Sequence, residues 1–332
     1  MITDVPGVLV GHYERLGDGW ATGTTVVLVP EGATGAVDQR GGAPGTRETD
    51  VLEPENLVQR ANAICLSGGS AYGLAAADGV MRWLGERNHG VRVGVAAHEV
   101  VPIVPAAVIF DLPRSDWGNR PDASFGYAAC EAAVAGPVAQ GCVGAGAGAT
   151  VGSLKGGVGS ASEAVNGYTV GALAVVNAAG EAVSYDTGRP FAADHGDFGV
   201  VWPDRPGEKP TPDRTMLNTT IGVVAVDAAL SKAECRRLAV AAQDGLARAV
   251  RPAHTMFDGD TVFALATGER ELPSDEGARV VTLDALCSAA ARVFARAMVH
   301  GLLTAVETAG VPAYRDVWPE VFPGGESHSV DT

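Results

Sequence analysis

Positive charge is scarce in this sequence: 24 Lys and Arg stand against 39 Asp and Glu, a formal net charge of -15 over 332 residues. A nucleic-acid backbone is bound by clustered cations that neutralise phosphates, so neither DNA nor RNA is an expected partner. Cysteine is sparse too. Cys65, Cys130, Cys142, Cys235 and Cys287 are odd in number and share no C-x-x-C spacing, which argues against a disulfide framework and a zinc site and for reduced thiols. No uninterrupted apolar stretch reaches the roughly 18 residues of a membrane span. The opening MITDVPGVLVGHYERLGDG lacks the basic flank and apolar core of a secretory signal. A cytoplasmic protein with no membrane partner is expected. The seven histidines form no H-x-x-x-H or H-E-x-x-H pair, so no metal is called for, and nothing in the chain demands a cofactor. Aromatics are only 6% of the chain. Ala, Val and Gly take their place within a hydrophobic share of 46%, which is the composition of a globular protein and not of a disordered one.

Runs rich in Val and Ile predict strands at 8–10, 25–29, 61–66, 91–96, 101–110, 168–177, 181–185 and 219–226. Between them, Leu74, Ala77, Val80, Met81 and Leu84 recur at three- and four-residue spacings and predict an amphipathic helix after the Gly68-Gly69-Ser70 turn. Further helices are predicted at 124–135, 230–250 (begun by Asp227 or Ser231) and 279–308. Length alone allows one large α/β domain or two smaller ones. Residues 186–217, dense in Pro and Asp, read as a long exposed loop. The strand that follows immediately shows that this loop interrupts one fold, so residues 1–332 are read as a single domain.

Several stretches invite a chemical reading. Gly144, Gly146 and Ala149 form a loose G-x-G-x-x-A, but no clear strand and helix flank it, and a tight backbone turn is the better reading. Ser70 lacks the second glycine of a nucleophile elbow and suits a helix cap. His254 reads equally as a hydrogen-bonded turn residue or as a catalytic one. Asp258 and Asp260, one glycine apart in a turn entering a strand, can orient a nucleophile or hold an ammonium. Asn218-Thr219-Thr220 opens an apolar strand on hydroxyls. A threonine hydroxyl needs a base beside it, and its own α-amine serves when the residue becomes the first of a chain. That amine titrates at about 7.7 to 8.0, close to working pH. Thr219 follows a loop and precedes a strand, the arrangement that self-cleavage requires.

Taken together and in order, AVDQRGGAPGTRETD, ICLSGGSAYGL, PAAVIFDL, GAGAGATVGSLKGGVG, NTTIGVVAVDAAL and RPAHTMFDGDTVFALATG resemble the L-aminopeptidase/D-esterase family of self-processing hydrolases, which includes β-peptidyl aminopeptidases and 6-aminohexanoate oligomer hydrolases. The resemblance runs through most of the chain. It implies a four-layered αββα sandwich of the N-terminal-nucleophile hydrolase type with the family's own strand connectivity. It also implies cleavage between Asn218 and Thr219 into an α chain, 1–218, and a β chain, 219–332. Thr219 would then be the nucleophile, Asn177 the oxyanion donor, and Lys155, Asp258 and Asp260 the residues that orient the amine and water. The implied substrate is a small peptide or amide: an α-peptide, a β-peptide, a D-amino-acid amide or an ω-amino acid oligomer. Four processed protomers would assemble into a homo-oligomer. Phe110 departs from the family, which commonly has Tyr there, and removes one hydroxyl from the oxyanion's surroundings. Two other readings stand beside hydrolysis: acyl transfer of the ornithine acetyltransferase type, and a catalytically weak binding or scaffold protein.

Overall fold

The computed structural model describes residues 1–211 and 217–322. Its principal strands are β1 (Leu9–Gly17), β2 (Trp20–Gln39), β3 (Thr46–Arg47), β4 (Arg60–Ser67), β5 (Ala106–Val108), β6 (Val158–Val165), β7 (Tyr168–Val175), β8 (Ile221–Ala228) and β9 (Thr261–Arg270). They hydrogen-bond as one nine-stranded sheet in the order β6-β7-β8-β9-β2-β4-β5-β3, with β1 on β2. β2 bends this sheet. Its register against β4 slips between Leu28 and Ala33, around Pro30, which has no N–H for a ladder, and Gly32, whose φ of +83° suits glycine. Before the bend β2 pairs with β1 and β4; beyond it, Thr34 to Gln39 pair with β9.

The bend folds the sheet into two facing layers, and side-chain alternation divides the interior accordingly. Ile221, Val223 and Ala225 of β8, Phe263 and Leu265 of β9, and Val27 and Val29 of β2 fill the core between the layers. Their neighbours Val224, Val226, Val262 and Ala264 face the other way, onto α3 (Lys232–Ala249) and α4 (Glu276–Thr304). Val26 and Leu28 of β2 and Ala63 and Cys65 of β4 face α1 (Ala76–Glu86). With α2 (Ala123–Glu131) packed beside α1, the result is the αββα sandwich expected. α4 is long and apolar enough to cross a membrane, yet 72% of that stretch is buried inside the protein.

Ser231 begins α3 through a reciprocal capping box with Glu234. Ser70 does not cap a helix. It starts a 3-10 turn, Ser70–Ala75, that makes no side-chain cap bond, and α1 follows. The predicted strand at 91–96 shrinks to Val91–Arg92 in a small ribbon with Val100–Val101. Val93 and Val95 are exposed, with no apolar layer to cover them. Residues 181–185 make only isolated bridges, to Arg251 and Pro190, because the chain turns back on itself at Gly188, whose N–H bonds to Ser184 O.

β6 begins at the end of the stretch GAGAGATVGSLKGGVG. Its small residues let α4 approach: a Cβ on Gly159 would stand 1.9 Å from Ala297 O. The 186–217 loop is less exposed than expected. Gly188, Pro190, Ala192, Ala193 and Pro203 are buried, and Tyr314 donates to Gly188 O at 2.7 Å. Residues 212–216, just before the expected cleavage site, lie outside the described residues.

Candidate active site

Strand register assembles the site. β7 runs antiparallel to β8 with Val175 opposite Ile221, so two residues beyond each strand Asn177 meets Thr219, and Thr219 N–H donates to Asn177 O at 2.8 Å. β8 and β9 are parallel with Ile221 opposite Thr261, so the residues entering both strands also lie side by side. Asn218 bridges Asp258. Gly259 N–H reaches Thr219 Oγ1 at 3.2 Å and Asn218 O at 3.3 Å. The Thr219 hydroxyl itself donates to Asn218 O at 2.5 Å. The peptide bond expected to break is thus buried, with its oxygen between two donors and the neighbouring hydroxyl folded back upon it.

Asn177 is completely buried. Its Oδ1 accepts from Thr150 N–H at 2.9 Å, which fixes the amide and leaves Nδ2 with no partner among the described residues. Asn218 Oδ1, Thr220 Oγ1 and His254 Nε2 are also buried and unpartnered. An unmade buried hydrogen bond costs about 1–3 kcal/mol, so a cluster of them around one peptide bond calls for a functional account.

The two aspartates clamp backbone. Asp258 accepts from Ala179 N–H and Thr255 N–H, each at 3.0 Å, and from the Thr255 hydroxyl at 2.5 Å. Asp260 accepts from Thr220 N–H at 2.8 Å through one oxygen, and through the other from His254 N–H at 3.2 Å, with His254 Nδ1 2.8 Å away. Burial pushes the Asp260 carboxyl up; the His254 hydrogen bond opposes this and the Asp258 charge adds to it. Neither carboxylate hydrogen-bonds the Thr219 hydroxyl. They fix the strand entrance that carries it.

Lys155 is buried, and its Nζ donates to Gly146 O at 2.8 Å and Gly156 O at 2.7 Å, not to Thr219. Burial lowers its ammonium to about 8, against the opposing pull of Cys142 and Asp111. Below pH 8 folded and unfolded chains both hold this proton; between about 8 and 10.5 only the unfolded chain does, so stability rises with pH there. Relative to Lys155→Met, the wild type should gain roughly 3 kcal/mol across that window, at about 1.4 kcal/mol per pH unit. Denaturant titrations at pH 7.5 and 10.5 would show it, and parallel pH curves would refute it.

Sequence reading saw Gly259 as a turn glycine and missed it as a donor; only the parallel register of β8 and β9 reveals that role. Its Cβ position lies 2.3 Å from Ala43 O and 2.7 Å from Pro44 Cα. Gly259→Ala must therefore move the N–H, and the self-cleavage expected at Asn218-Thr219 should slow at least about 10-fold, since catalytic positioning is lost by shifts near 1 Å. A gel time course at the wild-type rate would contradict this.

Above Thr219 opens a cleft of about 110 Å³, whose walls include Ser70, Phe110, Leu217, Asn218 and Phe257. The fold is that of the N-terminal-nucleophile hydrolases. The match to known proteins agrees: the L-aminopeptidase D-Ala-esterase/amidase of Ochrobactrum anthropi, reported as a new variant among the Ntn hydrolase folds, superposes with a TM-score of 0.70 at 22% identity, covering 92% of this chain and 86% of that one. Residues 1–315 match peptidase family S58, and the chain belongs to that family. An uncharacterized aminopeptidase of Mycobacterium tuberculosis is 55% identical over 97% of this chain and 98% of its own length. A 6-aminohexanoate-oligomer endohydrolase of Kocuria sp. is 32% identical over 92% of this chain and 85% of its own. The protein is an amide hydrolase of the peptidase class.

Proposed function

We propose that this protein is a self-cleaving amide hydrolase whose nucleophile is Thr219, freed as the first residue of residues 219–332. The observation that carries the reading is the Thr219 hydroxyl lying against the Asn218 carbonyl, whose oxygen also receives Gly259 N–H. In the first act Oγ1 adds to the Asn218 carbonyl carbon, the C–N bond breaks, and the nitrogen takes the proton. Water then hydrolyses the Asn218 ester, leaving a carboxylate on Asn218 and a free amine and hydroxyl on Thr219.

In the second act the Thr219 amine, held against Asn177 O, accepts the hydroxyl proton as Oγ1 attacks a substrate amide. Asn177 Nδ2 donates to the oxyanion, which supplies the missing partner of a buried donor. The proton passes to the leaving amine, and water releases the acyl group and restores Thr219. Asp258 and Asp260 act through the backbone they clamp, and Lys155 through the glycine turns it ties together. The cleft, walled by Phe110, Leu217 and Phe257 beside Thr219, suits a short acyl residue, as in small peptide and amide substrates.

Mass spectrometry of incubated protein should show two polypeptides, residues 1–218 and 219–332. The processed material should turn over at least one of a panel of amino-acid anilides and short ω-amino acid oligomers. A chain that stays whole and hydrolyses none of them would end the proposal.

A further inference from the structure

The SGGS turn is held with more care than a connection between β4 and α1 requires. Ser70 adopts φ +52° and Gly69 φ +81°, and a residue with a side chain pays roughly 1–2 kcal/mol for left-handed backbone. The surroundings enforce it. Gly69 N–H donates to Asp111 Oδ1 at 2.6 Å, Ser70 N–H donates to Ile109 O at 2.9 Å, and Thr22 holds the second Asp111 oxygen at 2.7 Å. Asp111 is buried, which raises its carboxyl to about 6 against those hydrogen bonds. At Gly68 a Cβ would stand 2.2 Å from both Asp111 Oδ2 and Thr22 Oγ1, so the turn is packed on its glycines as well. Strain fixed from several sides collects where function needs a side chain aimed.

Ser70 stands in the wall of the cleft above Thr219. Ser70 and Thr219 are the two residues of that cleft's wall with side-chain hydroxyls, and the same wall carries Phe110, which has none. Both hydroxyl-bearing residues thus border the one cleft of about 110 Å³. The Thr219 hydroxyl is engaged by Asn218 O and Gly259 N–H; among the described residues, none hydrogen-bonds that of Ser70.

We propose that Ser70 is a substrate-contacting residue whose hydroxyl donates to the carbonyl oxygen of the amide under attack, as the second donor beside Asn177. This rests on Thr219 being the nucleophile. The role asks of the turn a side-chain donor, not merely a tolerated conformation, and that difference can be tested.

The experiment compares Ser70→Gly and Ser70→Ala with wild type, using processed enzyme and the best substrate of the amide panel. Glycine fits φ +52° better than serine, so Ser70→Gly should fold with an equal or higher Tm and still cut itself. Its kcat should nevertheless fall about 10- to 100-fold with KM nearly unchanged, as loss of an oxyanion donor does, and Ser70→Ala should fall as far. Wild-type kcat in Ser70→Gly overturns the assignment, even if Ser70→Ala is slow, because the effect is then one of backbone conformation. An uncut Ser70→Gly chain also overturns it by placing the residue in maturation. An uncut, inactive wild type defeats the nucleophile reading itself, and this assignment with it.

Discussion

Thr219→Ala should stay a single chain of 332 residues on denaturing gels however long it is incubated, and should hydrolyse nothing. The change removes the one oxygen placed against the Asn218 carbonyl and leaves the backbone bonds of the strand entrance intact: Thr219 N–H to Asn177 O and Thr220 N–H to Asp260. Folding is therefore retained, and the far-UV spectrum and Tm should be close to those of wild-type precursor. Loss of a nucleophile lowers kcat by about 10⁶-fold where the full constellation has been dissected, so residual turnover should be undetectable. Two fragments from the variant would show that some other group cuts the chain.

The second large effect belongs to Asn177. Asn177→Asp keeps an oxygen to accept Thr150 N–H and keeps the backbone carbonyl that holds Thr219 N–H. What it removes is the unpartnered amide donor. If that donor serves the oxyanion, kcat should fall about 10²- to 10³-fold with KM little changed. Steady-state kinetics on processed protein decide the matter, and a variant within about threefold of the wild-type rate would assign the buried amide to structure alone.

Much of this architecture was legible in the sequence because period and punctuation agreed. Ser231, the apolar spacing from Leu74 to Leu84, and the Val-rich runs at 25–29, 61–66 and 219–226 each named an element that the protein builds. What escaped depended on partners remote in the chain. β6 was hidden because its glycine and alanine positions answer to α4, and no local pattern announces a helix more than a hundred residues away. The strand at 91–96 failed for the converse reason, as Val93 and Val95 lie exposed.

At the site, the sequence named Thr219, Asn218, Asn177, Asp258 and Asp260, and two registers bring all five together. Lys155 was named with them, but its ammonium is engaged elsewhere, by carbonyls of the glycine turns. Gly259 was visible only as a turn residue, and Ser70 as a helix cap. A backbone N–H carries no side-chain signature, and a serine's φ cannot be read from its letter.

The strand order has a consequence for a severed molecule. β8 and β9, which follow the Asn218-Thr219 bond, lie hydrogen-bonded between β7 and β2, which precede it. Scission there would leave each piece threaded through the ladders of the other, and separation would mean unzipping both seams and baring the α3–α4 interior at once. The precursor can fold as one molecule finding itself. A cut protein that has been denatured would instead have to find a mate, so its recovery would become concentration-dependent, and the proposed maturation would trade easy refolding for a nucleophile.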